Sequence, residues 1–483
     1  MICGALRLMK LRLNFAIQLF FAMTALLAFA PSSFAQTAAQ IDWNKINSEA
    51  LDDFRTYLRF DTTNPPSNTT AAIAYLKAIL DKEGIANETF ESKPGMVTLV
   101  ARIPGPAGVK PLLLMSHADV VPTVAANWTH HPFDADVKDG YVWARGAIDN
   151  KAHGIMALMT MLALKRNHVE LRRGVEMMVN PDEEAGGDNG ATWMVNNHWD
   201  AIDPAFAFNE GGEGVPDWLG LKGVTFTVAV SEKRVNWLHI TVRGKGGHGS
   251  VPKPDNPNLI LINALHRLLE KQPPIRITKI FADAMESIAP LEPSPESFQL
   301  AHLDQPAVAQ AAMADVLSPY NVQALMRDTI SLTMLNAGIK VNVVPTIAEA
   351  GLDCRLLPGT DADAFMKRLR DLLGPGDFKI EYIQRPDDAP PSPTSGEAWD
   401  AIKRVVASDF KDARVVPWMT TGGTDSRVLR AKGVPAYGFV PMILGEGEVS
   451  RVHGDDERLS VENLNRGIKA TYDLTIDLCA TQH

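Results

Sequence analysis

The chain has 483 residues, 46% of them apolar and 22% charged, with a formal net charge of −10. That length exceeds what a single core usually organises, so more than one domain is expected. The mixed composition excludes a low-complexity or fibrous chain, and the acidic balance argues against a nucleic-acid-binding surface.

The amino terminus differs from the rest. Lys10 and Arg12 precede an apolar run from Phe15 to Ala30, and Ser33-Phe-Ala35 stands before Gln36. A positive start, a short apolar core and small residues at the end match a secretory signal peptide over residues 1–35. The run is short beside the roughly 20 residues of a spanning helix. The expectation is an exported protein, periplasmic or secreted, with no stable membrane insertion after cleavage; retention as an anchor is the alternative. Cys354 and Cys479, the cysteines beyond the signal, are too few for a disulfide scaffold and are expected to be free.

Trp43 to Phe60 and Ala71 to Gly84 have helical periodicity, and strand-like runs follow at Val97–Ile103 and Leu112–Met115. A buried helix is expected from Lys151 to Lys165, a strand over Gly174–Asn180, a helix over Ala191–His198 and a strand over Ala205–Phe208. Alternating strands and helices predict an α/β domain with a mostly parallel sheet. The texture changes near Val235, where Asn236–Arg243 alternates like a half-exposed strand. A helix over Asn258–Glu270, an irregular Pro- and Ala-rich stretch Gln272–Arg327, strands over Ile330–Leu335, Ala348–Leu356 and Lys379–Ile383, and a helix over Asp361–Leu373 suggest a small α+β domain. A Pro-rich linker from Pro386 then returns to α/β texture, with a helix over Glu397–Asp409, a strand over Ala436–Val440 and a final helix from Ser460. The expected plan is a signal peptide (1–35) and a catalytic domain in two parts (36–234 and 387–483). The smaller domain (235–386) is inserted between those parts.

Three apolar strands in succession end in a metal-capable side chain: His117, Glu183-Glu184 and Glu210. Ligands gather at the carboxyl ends of strands in open α/β sheets. An imidazole there can bind a metal while a carboxylate such as Asp119 holds its other nitrogen. Paired metals need a bridging carboxylate; Asp149, after Gly146-Ala-Ile, is placed for that, or for capping the next helix. Glu184 and Glu210 each suit one metal's set. His453, in Arg451-Val-His-Gly-Asp-Asp-Glu457, offers a second imidazole, although that loop also reads as a solvated acidic turn. With Glu183 beside Glu184, one carboxylate can bind metal while its neighbour moves a proton.

His117-x-Asp119, Gly146-Ala-x-Asp149, Asp182-Glu183-Glu184, Asn209-Glu210-Gly-Gly and Val452-His453-Gly together resemble the co-catalytic di-zinc exopeptidase and deacylase family. That family includes glutamate carboxypeptidase, carboxypeptidase S, carnosinase, aminoacylase-1, acetylornithine deacetylase and succinyl-diaminopimelate desuccinylase. The resemblance spans nearly the whole mature chain. It implies a zinc-exopeptidase catalytic domain with an inserted lid or dimerisation domain, and two Zn2+ per subunit, with Mn2+ or Co2+ acceptable. It places His117 and Glu210 on one metal, Glu184 and His453 on the other, and Asp149 between them. Glu183 becomes the general acid/base and Asp119 the carboxylate that orients His117.

Gly244-Lys-Gly-Gly-His248-Gly fits a dinucleotide fingerprint only superficially, because Pro252 and Pro254 delay the helix that should receive a pyrophosphate. It resembles instead the family segment whose histidine stabilises the oxyanion, often in the partner subunit of a homodimer. The resemblance further implies Asn342 and Arg355 as ligands of a substrate carboxylate, with Thr424 in a supporting loop; Arg355 could instead pair with Asp353. The expected function is a metallopeptidase of carboxypeptidase or dipeptidase type, with an N-acyl-amino-acid hydrolase as the alternative. The substrate is then a peptide or an N-acyl amino acid. A periplasmic solute-binding protein also suits an exported α/β chain, but has no need for three consecutive acids with two distant histidines.

Overall fold

The computed structural model describes residues 41–385 and 389–481. The expected signal peptide lies outside the described residues, as do Pro386, Asp387 and Asp388 of the expected linker.

A nine-stranded mixed sheet organises the site. Its main path runs 86–93, 96–103, 175–180, 112–117, 206–209, 436–438, 224–232 and 414–420. Strand Leu112–His117 is buried at all six positions and pairs in parallel with Val175–Asn180 on one side and Phe206–Asn209 on the other. Such strands are apolar throughout because both faces are covered. The register sets His117 opposite Asn180, and Gly438 opposite Asn209. Four parallel strands therefore deliver their carboxyl ends to one edge.

Helix Lys151–Arg166 closes one face. Its first fourteen residues are buried, against Leu112–His117, helix Trp43–Leu58 and helix Val461–Cys479. An Ala/Met/Leu surface without a polar stripe suits a helix enclosed on all sides.

At Lys233 the chain leaves the central sheet and enters an antiparallel four-stranded sheet ordered 329–337, 347–356, 234–243 and 378–384. Helices Pro257–Glu270 and Ala362–Leu373 cover it through Leu261, Leu265, Phe365 and Leu369. The fold class is thus an α/β fold with a mostly parallel central sheet and smaller sheets beside it.

The stretch Gln272–Arg327, which reads as irregular, forms helices Lys279–Ile288, Glu296–Ala301 and Pro306–Ala314. The prolines misled: Pro306 opens its helix, where its missing N–H costs nothing. Phe281, Ala284, Met285 and Ile288 share a helical face and join a core with Val416 and Met419 of the central sheet's edge strand. Segment 235–386 thus contributes to two cores. Cys354 and Cys479 are free and buried, and no helix among the described residues is long and apolar enough to cross a membrane.

Phe281 is 2% exposed in the shared core. Phe281→Ala should cost about 3–5 kcal/mol in denaturant unfolding. A loss below about 1 kcal/mol would mean that this helix does not pack on the strand Arg414–Thr420.

Candidate active site

His117 ends its strand fully enclosed, 1% exposed. Its Nδ1 lies 2.9 Å from the main-chain carbonyl of Asp119 and donates to it. In the neutral ring Nε2 then carries a lone pair. That atom faces Asp149 Oδ1 at 3.0 Å and Glu210 Oε2 at 3.3 Å. His453 Nε2 faces Asp149 Oδ2 and Glu184 Oε2, each at 3.1 Å. The two oxygens of Asp149 therefore address the two imidazoles separately, and each imidazole has a further carboxylate of its own.

Lone pairs pointed at carboxylates repel unless a proton or a cation stands between them. Burial opposes charge on His117, but Glu210 and contacts with Asp119 and Asp149 hold its pKa well above the ordinary range. His453 is pushed up to about 10 by its hydrogen bonds with Asp149 and Glu184. Burial, and then the charge of Glu210, raises Glu183 well above a normal glutamate, and burial raises Glu184 to about 7. Glu184 Oε1 is also buried without a hydrogen-bond partner. Ligand atoms of His117, Asp149 and Glu184, and of His117, Glu183 and Glu210, lie within 4.8 Å of one another. A nitrogen-and-oxygen donor set of this kind fits divalent cations.

Buried supports hold the ligands. Glu457 sits in the acidic loop that could have been solvated, yet it is 0% exposed. Its carboxylate accepts from Arg145 Nη1 at 2.7 Å and from the main-chain N–H groups of Gly146, Ile148 and Asp149 at 2.6–3.0 Å. Arg145 also donates to the carbonyl of Gly454, beside His453. One ion pair, Arg145–Glu457, thus ties together the loops that carry Asp149 and His453.

Asp119 meets the ring of His117 with both its main chain and its side chain. The main-chain carbonyl is the nearer partner of His117, and Oδ1 of the carboxylate is 3.5 Å from Nδ1. The carboxylate also accepts from the N–H groups of Glu183 and Glu184 at 3.2 and 3.1 Å and from Asn64 Nδ2 at 2.8 Å. Asp182 and His453 have left-handed backbone, φ 73° and 61°, which costs on the order of 1 kcal/mol for such residues. Asn189 and Asn64 hydrogen-bond the Asp182 carboxylate and hold it there. Asn150 Nδ2 donates to Glu210 Oε2 at 2.5 Å. Asn64, Asn150 and Glu457 carry no signal in the sequence, because their roles depend on partners distant in the chain.

The ligands open on a cavity of about 460 Å³ lined also by Glu183, the loop Thr420–Thr424, and Ile148, Val440, Met442, Leu444, Val449 and Val452. Residues 113–477 match the model of peptidase family M20/M25/M40.

The chain belongs to this family.

Human aminoacylase-1 is 30% identical over 427 residues, 86% of this chain and 91% of that protein. The probable carboxypeptidase S-like 2 of Dictyostelium discoideum is 30% identical over 377 residues, covering 76% and 71%. Among solved structures, an M20 family metallo-carboxypeptidase from Sulfolobus solfataricus superposes with a TM-score of 0.67 at 19% identity, covering 89% and 99%. This M20 chain is a hydrolase acting on carbon–nitrogen bonds.

The remaining expected residues stand apart from the cluster. His248 is exposed on the short strand Gly247–His248, its Nδ1 2.7 Å from Ser250 Oγ. Asn342 is exposed near it, its carbonyl accepting from Gly249 N–H. Arg355 pairs with Asp353 through both Nε and Nη2, at 2.7 and 3.1 Å, and lies over the Trp237 ring. None of the three lines the cavity. Thr424 does, but its Oγ1 accepts from Ser426 N–H and its own N–H goes to Glu232. Asp149 does not cap the following helix, whose N-cap position is Asn150.

Glu457→Gln removes the charge opposite buried Arg145. It should destabilise the fold by about 3–5 kcal/mol and lower bound metal, read by unfolding and by elemental analysis. Wild-type values for both would mean that the turn before Asp149 is held by other contacts.

Proposed function

We propose that this chain is an exported di-zinc hydrolase that cleaves the amide bond next to a free carboxylate, as a carboxypeptidase or dipeptidase. The observation that carries the reading is the single Asp149 carboxylate presenting one oxygen to His117 and the other to His453. His117 and Glu210 would hold one Zn2+, and Glu184 and His453 the other, with Asp149 shared; Mn2+ or Co2+ suits the same donors. Bound there, the metals supply a polarised carbonyl and a water acidified towards neutrality.

The protein's own part is proton movement and positioning. Glu183 lies in the cavity wall next to Glu184 in sequence, with its backbone fixed by Asp119. Its carboxylate would take the proton of the attacking water and return it to the departing nitrogen. A raised pKa suits the second half of that duty, because the protonated form must persist near neutrality.

The oxyanion and the substrate carboxylate also need hydrogen-bond donors. His248, Asn342 and Arg355 would serve from a partner subunit of a homodimer. The outer strand Thr329–Ala337 of the second sheet and the loop after it expose Met334, Leu335, Ile339 and Val341, apolar surface that suits a second copy. On this reading segment 235–386 is the lid and dimerisation domain, and 36–234 with 387–483 the catalytic one. Export rests on the amino-terminal segment. The likeness to aminoacylase-1 favours a second reading, an N-acyl-amino-acid hydrolase.

A panel of dipeptides and N-acyl amino acids, offered to the metal-loaded mature chain, decides between them. Glu183→Gln should cut kcat by at least about a thousandfold while retaining metal; activity surviving the substitution would sink the mechanism. Chelation should abolish turnover and lower the melting temperature, with Zn2+ restoring both. Sedimentation should report a dimer, and His248→Ala should lower kcat without loss of metal. An active monomer would overturn the role of His248 in trans.

A further inference from the structure

One acidic group in the cavity is unused by this chemistry. Glu213 lies three residues beyond Glu210 and lines the same cavity as Val440, Met442 and Leu444. Its backbone is firmly placed. Gly212 carbonyl accepts from Val440 N–H at 2.7 Å, and Gly214 exchanges bonds of 2.8 Å with Met442 and Leu444. On the other side, the carbonyl of Glu213 accepts from Thr227 N–H at 3.0 Å. A Cβ at Gly212 would lie 2.0 Å from the Thr227 carbonyl oxygen and 2.4 Å from that of Gly438, so this segment has no room to shift.

The Glu213 side chain has no ion pair or hydrogen bond among the described residues, and burial alone displaces its pKa upwards, with no cation contributing. It stands outside the ligand groupings around His117. A carboxyl set into an aliphatic wall, facing a chamber that opens on the hydrolytic centre, is a binding group without a partner in its own chain.

We propose that Glu213 is a specificity-determining residue that receives an ammonium or guanidinium group at the end of an aliphatic substrate chain. The substrate's methylenes would lie against Val440, Met442 and Leu444. This rests on the amide-hydrolase reading above and names its substrate class: peptides or N-acyl amino acids with a lysine- or arginine-like group on one side of the scissile bond. Aliphatic chains of the same length without the charge would leave Glu213 buried and unpaired, and so bind less well.

The test compares cationic substrates with neutral isosteres on each side of the bond. N-acetyl-lysine is set against N-acetyl-norleucine, and 6-aminohexanoyl-glycine against hexanoyl-glycine, using zinc-loaded wild type, Glu213→Gln and Glu213→Asp. In wild type, kcat/KM should favour the cationic member of one pair by at least about tenfold. That ratio should fall to about one in Glu213→Gln and be partly kept in Glu213→Asp. Equal rates within both pairs, or a preference that survives Glu213→Gln, would overturn the proposal while leaving the hydrolase reading intact. Should no member turn over, the hydrolase reading fails on its own, and calorimetric binding of 6-aminohexanoate against hexanoate still decides. Tighter binding of the cation in wild type alone supports the role of Glu213, and equal binding in both proteins overturns it.

Discussion

Repulsion among carboxylates at one sheet edge is the constraint to which the surrounding structure answers. Asp149, Glu183, Glu184 and Glu210 converge on the ring of His117, and His453 closes the group from a distant part of the chain. The neighbouring carboxylates raise the pKa values of both histidines, and burial, with the other carboxylates adding to it, raises those of Glu183 and Glu184. Divalent cations relieve the repulsion without protons, and the support around the site serves to hold the ligands together for that purpose. The parallel register aligns three of the strand ends. Asp119 fixes the main chain of the glutamate pair, and the Arg145–Glu457 pair brings the last loop of the fold onto the turn before Asp149.

Much of this is legible in the amino-acid order, for a physical reason. Strands buried on both faces must be apolar along their length, so a histidine or an acidic cluster at the end of one stands out sharply. The strands Leu112–His117 and Val175–Asn180, and the enclosed helix Lys151–Arg166, follow from such runs. The exposed edge strand Ala86–Lys93 has no comparable pattern, since its outer positions face water. Arg414–Thr420 is interrupted by Pro417, which a strand at the sheet's edge tolerates. The helices within Gln272–Arg327 were hidden by prolines that start helices as well as break them.

His117, Glu184 and Glu210 are legible because each ends or follows an apolar run; the supports around them are not. Glu457 lies among charged neighbours and looks solvated until Arg145 and three N–H groups are folded onto it. Asn64 gains its meaning only where Asp119 and Asp182 meet it. The motif residues His248, Asn342 and Arg355 are set in or beside the second sheet, away from the ligands.

The passage between the two sheets adds a mechanical consequence. Glu232 and Lys233 are neighbours and both buried, yet they hold opposite sides of the structure. Glu232 accepts from Thr424 N–H and pairs with Arg430, so it anchors the loop that lines the cavity. Lys233 gives its three protons to the carbonyls of Ala324 and Arg327 and to Thr329 Oγ1, each at 2.9 Å, where the helical segment enters the second sheet. Burial lowers the Lys233 pKa to about 8, and these oxygen acceptors are what make an ammonium tolerable there. The cavity loop and the entry to the second sheet are in this way held by side chains on either side of a single peptide bond.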